Sequence, residues 1–265
     1  MPKKQFKNTC VNNSATEPQR VTFLDIPIDC ITMSETVARV DRAMTDGKLL
    51  QHVAINVAKF VNLQNDSELR EDVITADIIG IDGAGIVIGA RLFGISVPER
   101  VTGIDLMSEI LELCNKKGYK PYFFGAKQEV LEKAVENIKA KWGNIKIAGY
   151  RNGYFTPADE AQIVADIKNS GADCLFVAIS TPIKERFCRK YKHKLGVSYL
   201  MGVGGSIDIM AGITKRAPVW MQKYGLEWLY RIIQEPKRMW KRYAKTNILY
   251  AWLLIKGIYK NIKRT

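Results

Sequence analysis

Histidine is nearly absent from this sequence. His52 and His193 stand far apart, and no Cys/His cluster occurs, so a zinc site is not expected. Cys10, Cys30, Cys114, Cys174 and Cys188 form an odd set without a CxxC pair. That argues for a reducing compartment and against a disulfide framework. No GxGxxG follows an apolar strand and no GxxxxGK[ST] occurs, which weakens a dinucleotide dehydrogenase or a P-loop enzyme. A GxSxG elbow is missing too. There is no DxD pair to grip a divalent ion across a diphosphate. Any diphosphate would have to be met by arginine, lysine and helix N-termini. Neither a metal nor a cofactor is expected.

Long apolar runs are missing as well. In the C-terminal segment the longest uncharged stretch runs from Thr246 to Ile255, against the ~20 residues that span a bilayer. The start, MPKKQFKNTCVNNSATEPQR, is polar and lacks the apolar core of a secretory signal. Residues 1–20 read as a disordered lead-in.

What is present begins with charge. The chain of 265 residues carries a net +13, unevenly spread. From Ile213 onward thirteen Lys and Arg face only Glu227 and Glu235. A near-neutral body over 21–212 and a basic segment over 213–265 therefore divide the chain. A basic tail implies an anionic partner, either nucleic acid or an acidic membrane surface. Trp240, Tyr243, Trp252 and Tyr259 mixed with Lys and Arg suit a helix lying among lipid headgroups. The alternative is an amphipathic helix docked on the protein or on a second copy.

In the body, apolar strands alternate with amphipathic helices. FLDIPID (23–29), QHVAIN (51–56), DIIGIDG (77–83), PYFFG (121–125), IKIAGY (145–150), CLFVAIS (174–180) and VSYLMGVGG (197–205) read as strands. Helices are expected from Ser34 to Gly47, after Asn56, over 105–117, from Lys127 to about Trp142, up to Gly171 and after Pro182. The pattern gives an α/β fold, a Rossmann-like, mainly parallel sheet with helices on both faces, plus a basic helical C-terminal appendage. Three strands end in small residues, at Gly125, at Ser180 and at Gly204–Gly205. In such sheets ligands bind at the carboxyl ends of strands.

Asp82 sits among Ile, Val and Gly in DIIGIDGAGIVIGARLFG. A carboxylate at a strand end beside glycines can serve as a general base, because the glycines admit a substrate. It could equally cap its own turn, with Arg100 paired to Glu99 or Asp105.

The segments IDGAGIVIGARLFG, ERVTGIDL, GYRNGYF and GVGGSIDIMAGITKRAPVWMQKYGLEWLYRIIQEPKR, in that order, resemble the WecG/TagA/CpsF family of bacterial glycosyltransferases. The resemblance covers about residues 22–242. It implies inverting, metal-independent transfer of a sugar from a UDP-sugar to a polyprenyl-diphosphate-linked sugar, in cell-envelope polysaccharide synthesis. The sugar would be of the N-acetylmannosamine type, or a related hexose or uronic acid. The setting implied is peripheral, at the cytoplasmic face of the membrane. Asp82 falls on the family's proposed base and Arg100 on an active-site arginine. Asn56 matches an asparagine on the preceding strand, and Arg231 and Arg238 lie on an appendage thought to close over the site.

Two positions depart from the family pattern. Ala54 stands where threonine is usual, and Lys184 where glutamine is usual in a P-K-Q-E run. Lys184 is read as a contact for a donor carboxylate or the diphosphate, or else as drift on a solvated helix face. Two other readings stay open: a basic nucleic-acid-binding protein, disfavoured because no RNP1 or KH pattern occurs, and an inactive member that only binds a UDP-sugar. Homo-oligomerisation is left open.

Overall fold

The computed structural model describes residues 19–263, with Arg238 by its backbone alone. The expected lead-in lies outside them except for Gln19 and Arg20, which already belong to a strand. FLDIPID is not one strand. β1 (Gln19–Phe23) and β2 (Ile26–Cys30) form an antiparallel hairpin. Its turn residues Leu24 and Asp25 both have positive φ, 44° and 65°, as a tight hairpin requires.

α1 (Met33–Asp46) is capped by Thr32 rather than Ser34. The Thr32 hydroxyl accepts from the Glu35 amide, and the Glu35 carboxylate accepts from the Thr32 amide at 2.9 Å. This reciprocal pairing satisfies two donors that the first turn leaves free. Gly47, left-handed at φ 65°, ends the helix as expected.

Six strands follow: β3 (Leu50–Ile55), β4 (Ile78–Ile81), β5 (Pro121–Gly125), β6 (Gly149–Arg151), β7 (Cys174–Ala178) and β8 (Tyr199–Gly202). They form one sheet in the order β4-β3-β8-β7-β5-β6, every neighbouring pair parallel. Between them run α2 (Val57–Asn65), α3 (Ser67–Ile74), α4 (Ala84–Leu92), α5 (Gly103–Lys117), α6 (Gln128–Lys141), α7 (Glu160–Asn169) and α8 (Ile183–Tyr191), and α9 (Ser206–Met210) follows β8.

Alternation along the strands sorts the core into two faces. Phe123, Phe176, Tyr199 and Met201 pack on one side with α1, α5, α6 and α9. Phe124, Leu175, Val177 and Leu200 pack on the other with α7 and α8. On that same side Val53, Ile55, Ile79 and Ile81 meet α2, α3 and α4. Each such side chain contributes about 1.5–3 kcal/mol by leaving water.

The hairpin covers the outer edge of β4. Asp29 accepts from the Ile79 amide at 2.6 Å and pairs with Arg20, which also donates to the Ala76 and Asp77 carbonyls. A sheet edge that would otherwise invite a foreign strand is thereby closed.

The C-terminal segment is helical. α10 (Val219–Lys223) and α11 (Glu227–Gln234) lead into α12 (Pro236–Ile262). α12 lies against the body. Tyr250 is buried, its ring 5.7 Å from that of Phe60 and its hydroxyl donating to the Gly85 carbonyl at 3.0 Å. Gly257 meets Leu24 and Phe93 so closely that a β-carbon there would overlap them. The opposite face shows water Ile248, Trp252, Ile255, Tyr259 and Ile262. No helix among the described residues is long and apolar enough to cross a membrane.

Candidate active site

The carboxyl ends of β3 and β4 lie side by side because these strands pair in register, Ile55 opposite Ile81. The chain then turns at Asn56 and at Asp82–Gly83. The Asp82 and Gly83 amides both donate to the Ile55 carbonyl, at 3.0 and 3.2 Å. Asn56 caps α2, its side-chain oxygen accepting from the Lys59 amide at 3.0 Å. A β-carbon on Gly83 would stand 3.0 Å from the Asn56 Cα. Glycine at 83 is what lets the two turns touch.

Asp82 is only partly exposed. Its Oδ1 accepts from the Gly103 amide, 3.1 Å away in the first turn of α5, and no other hydrogen bond to its side chain is found among the described residues. Burial pushes its carboxyl above the usual carboxylate range, while the Gly103 amide and the charges of Arg231 and Arg100 pull it partway back. That combination suits a base. The group is basic enough to take a proton, yet kept ionisable by donors and cations.

Arg100 pairs with neither Glu99 nor Asp105. Its Nη1 lies 2.6 Å from Glu227 of α11, and its Nη2 donates to the Gln222 carbonyl of α10 at 3.0 Å. Glu99 instead accepts from the Met33 amide, and Asp105 pairs with Arg216 at 2.7 Å. The 100–105 segment is thus tied to the appendage at three points. Gly225, at φ 70°, rests on Ala84 just beyond Asp82 and Gly83, where any β-carbon would collide. Arg231 comes down at the β8 turn, its Nη1 3.9 Å from where a β-carbon of Gly205 would be. Asp82, Arg100, Arg231, Asn56 and Gly205 therefore gather where β3, β4 and β8 end, against α10 and α11, and this junction is the candidate crevice.

Gly204 adjoins this group, and the other expected residues lie elsewhere. Gly204 makes the left-handed turn after β8, at φ 49°. Gly125 lies on β5, three strands from β3 in the sheet. A β-carbon there would meet the Ala178 carbonyl carbon at 2.4 Å, so strand packing accounts for it. Arg238 falls in the first turn of α12. Lys184 is not on a solvated helix face: it is buried at the start of α8, beside a cavity of about 10 Å³ lined also by Ala54, Lys59, Glu185, Cys188 and Gly202. Ala54 borders that cavity, but alternation along β3 turns its methyl to the opposite face, so the two departures are separate.

Sequence reasoning missed Glu227, Gln222 and the Gly103 amide. Thr102 before Gly103 was a legible cap signal, and it placed an N–H beside the strand end. Nothing local could have joined Glu227 to a residue 127 positions earlier.

The family model for the glycosyl transferase WecG/TagA/CpsF family matches residues 21–264. An N-acetylglucosaminyldiphosphoundecaprenol N-acetyl-beta-D-mannosaminyltransferase of Bacillus subtilis (strain 168) is 37% identical over 177 residues, 67% of this chain and 68% of that protein. A protein of the same name from Bacillus spizizenii (strain ATCC 23059 / NRRL B-14472 / W23) is 36% identical over 168 residues, 63% and 64% of the two chains. With a match along nearly the whole described chain, and a carboxylate and two arginines at the carboxyl ends of a parallel sheet, this chain belongs to the WecG/TagA/CpsF family of glycosyltransferases.

Proposed function

We propose that this chain transfers an N-acetylmannosamine-type sugar, or a related hexose or uronic acid, from a UDP-sugar to N-acetylglucosamine carried on a polyprenyl diphosphate. The observation that carries this reading is Asp82 at the carboxyl end of β4, its Oδ1 accepting from the Gly103 amide at 3.1 Å, pushed up by burial and within the fields of Arg231 and Arg100. Asp82 takes the proton of the acceptor hydroxyl as that oxygen bonds to the anomeric carbon. The bond from that carbon to the diphosphate breaks on the opposite face, and UDP leaves with its electron pair. Arg231 at the Gly204–Gly205 turn offsets the charge that develops on the departing phosphate. The relatives act, by name, on a lipid-linked N-acetylglucosamine acceptor, which fits a crevice roofed by a basic, aromatic appendage.

The membrane reading rests on α12. Its inner face is committed to the body through Tyr250 and Gly257, so the tail is a docked helix. Its outer face repeats Ile248, Trp252, Ile255, Tyr259 and Ile262, all exposed, alongside Lys256, Lys260 and Lys263. A contiguous apolar stripe edged with lysine fits the headgroup layer of an anionic leaflet, at the cytoplasmic face where a nucleotide sugar is available.

The decisive experiment gives the full chain a short-prenyl diphosphate-linked N-acetylglucosamine and a panel of UDP-sugars, read by mass spectrometry. A new disaccharide product with one donor, abolished in Asp82→Asn, is expected. UDP-sugar binding without product on any acceptor would instead mark an inactive binder.

A further inference from the structure

Beneath the crevice floor lies a charged cluster that stability alone does not favour. Lys59 is the third residue of α2 and Lys184 the second of α8, and both ammonium groups are largely buried, their side chains 10% exposed. Cations belong at helix C-termini. In a first turn they oppose the helix dipole. Burial adds a desolvation cost, and the two lysines repel each other. One carboxylate faces both. Glu185 Oε1 lies 2.9 Å from Lys59 Nζ and 3.5 Å from Lys184 Nζ, and also accepts from the Thr181 hydroxyl at 3.1 Å. The cluster therefore carries an excess positive charge inside the protein. Gly202 makes room for it: a β-carbon there would stand 2.6 Å from Lys184 Cε.

The position matters as much as the charge. Ala54 and Gly202 border the cluster two residues before Asn56 and Gly204. The two helices whose first turns hold the lysines begin at the same carboxyl edge of the sheet. The excess charge thus sits in the first turns of two helices, beside strand residues two positions before Asn56 and Gly204. The cavity itself, at about 10 Å³, has room for about one water molecule and none for a sugar.

Given the donor reading above, on which this rests, we propose that Lys184 with Lys59 forms a buried cationic floor that holds the donor's diphosphate electrostatically from beneath, in a positioning role. A donor-sugar carboxylate reaching Lys184 directly does not fit the space.

The surroundings make the idea testable by pH. Burial first, then repulsion by Lys59, brings the Lys184 ammonium down to about 8. The groups around it leave that range clear. Burial and the Lys59 charge hold His52 down at about 3, and burial pushes Cys188 up to about 12. Glu185 is pushed up by burial, but Lys59 and Lys184 together hold it below the usual range. Besides His52, β3 and β8 line the cavity with the non-titrating Gln51, Val53, Ala54, Leu200 and Gly202.

The experiment is calorimetric titration of the full-length protein with UDP and with uridine, at about pH 7.5 and about pH 9.5, using wild type, Lys184→Met and Gly202→Ala. UDP affinity of the wild type should weaken about tenfold over this range, as expected for loss of a cation near the ligand. Lys184→Met should bind UDP about tenfold more weakly at the lower pH and show no further loss at the higher. Gly202→Ala, which pushes the lysine stem aside, should resemble it. Uridine, whose uracil N3 proton is lost near the upper pH, is the reference: the tenfold loss should appear in UDP affinity relative to uridine affinity. Melting temperature is the control: Lys184→Met should melt no lower than wild type, because it removes an unfavourable buried charge, whereas a purely structural lysine predicts a drop. Equal UDP affinity in wild type and Lys184→Met at the lower pH overturns the cationic floor and leaves the glycosyltransferase reading standing. Failure of wild type to bind UDP at all removes both.

Discussion

Asp82 shows how one residue's surroundings set its chemistry. Its neighbours in sequence are apolar, and the groups that control it arrive from three later segments: the Gly103 amide, Arg100 and Arg231. Replacing it with asparagine keeps the hydrogen bond to Gly103 in shape and removes the charge. Turnover of Asp82→Asn should fall ~10²–10⁴-fold, the usual scale of general-base catalysis. A loss below tenfold would assign the base elsewhere. The raised carboxyl pKa also predicts the acidic limb of the wild-type kcat/KM profile, with a midpoint above the ordinary aspartate value of about 3.9. The same shift has a stability consequence. A carboxyl that titrates higher when folded stabilises the fold at pH below its unfolded value, and that contribution is lost as pH rises through the folded value. Asp82→Asn should therefore melt no lower than wild type at neutral pH, measured by scanning calorimetry. Asp82 and Arg100 were legible as a pair of candidates from a carboxylate among glycines and an arginine before a helix. Glu227 was not, since only the folded appendage brings it to Arg100.

The strand–helix rhythm was legible, and six parallel strands with helices on both faces follow from it. The hairpin was missed because Leu24 is an unusual residue for positive φ, and without a glycine turn signal FLDIPID looks continuous. α4 was missed because its glycines, Gly85 and Gly89, look like turn residues. In the structure they are the places where α12 comes close: a β-carbon on Gly89 would overlap the Tyr250 hydroxyl. Packing overrode propensity there. Tyr250 is the anchor of this contact. Tyr250→Phe loses only the hydrogen bond to Gly85 and should cost about 0.5–1.5 kcal/mol. Tyr250→Ala also opens a cavity beside Phe60 and should cost about 3–5 kcal/mol. Urea denaturation of both variants would measure the difference, and hydrogen exchange should show faster opening of α2 and α4 in the alanine form. Equal stability of the two would mean that α12 is not held there.

At the scale of the molecule the body is nearly neutral and the appendage strongly basic, a division that was plain from the sequence. What was not plain is that α12 packs one face on the body and leaves an apolar face exposed. The expected choice between a helix on lipid and a helix on protein dissolves once Tyr250 and Gly257 face inward while Trp252, Ile255 and Tyr259 face out. Trp252→Ser with Ile255→Ser and Tyr259→Ser should leave the melting temperature within a few degrees, because exposed side chains contribute little to stability. The same triple variant should lose flotation with vesicles containing anionic lipid. Wild-type flotation should weaken as salt rises, since the lysine contribution is screened. Undiminished flotation of the triple variant would remove the outer stripe as the membrane contact.

Glu227 and Arg231 stand one turn apart on α11, and each attends a different part of the crevice. Glu227 is already the counter-ion of Arg100, so any phosphate that claims Arg100 must first evict a resident carboxylate. Through that ion pair the turn that carries Arg100 and the helix that carries Arg231 are joined directly.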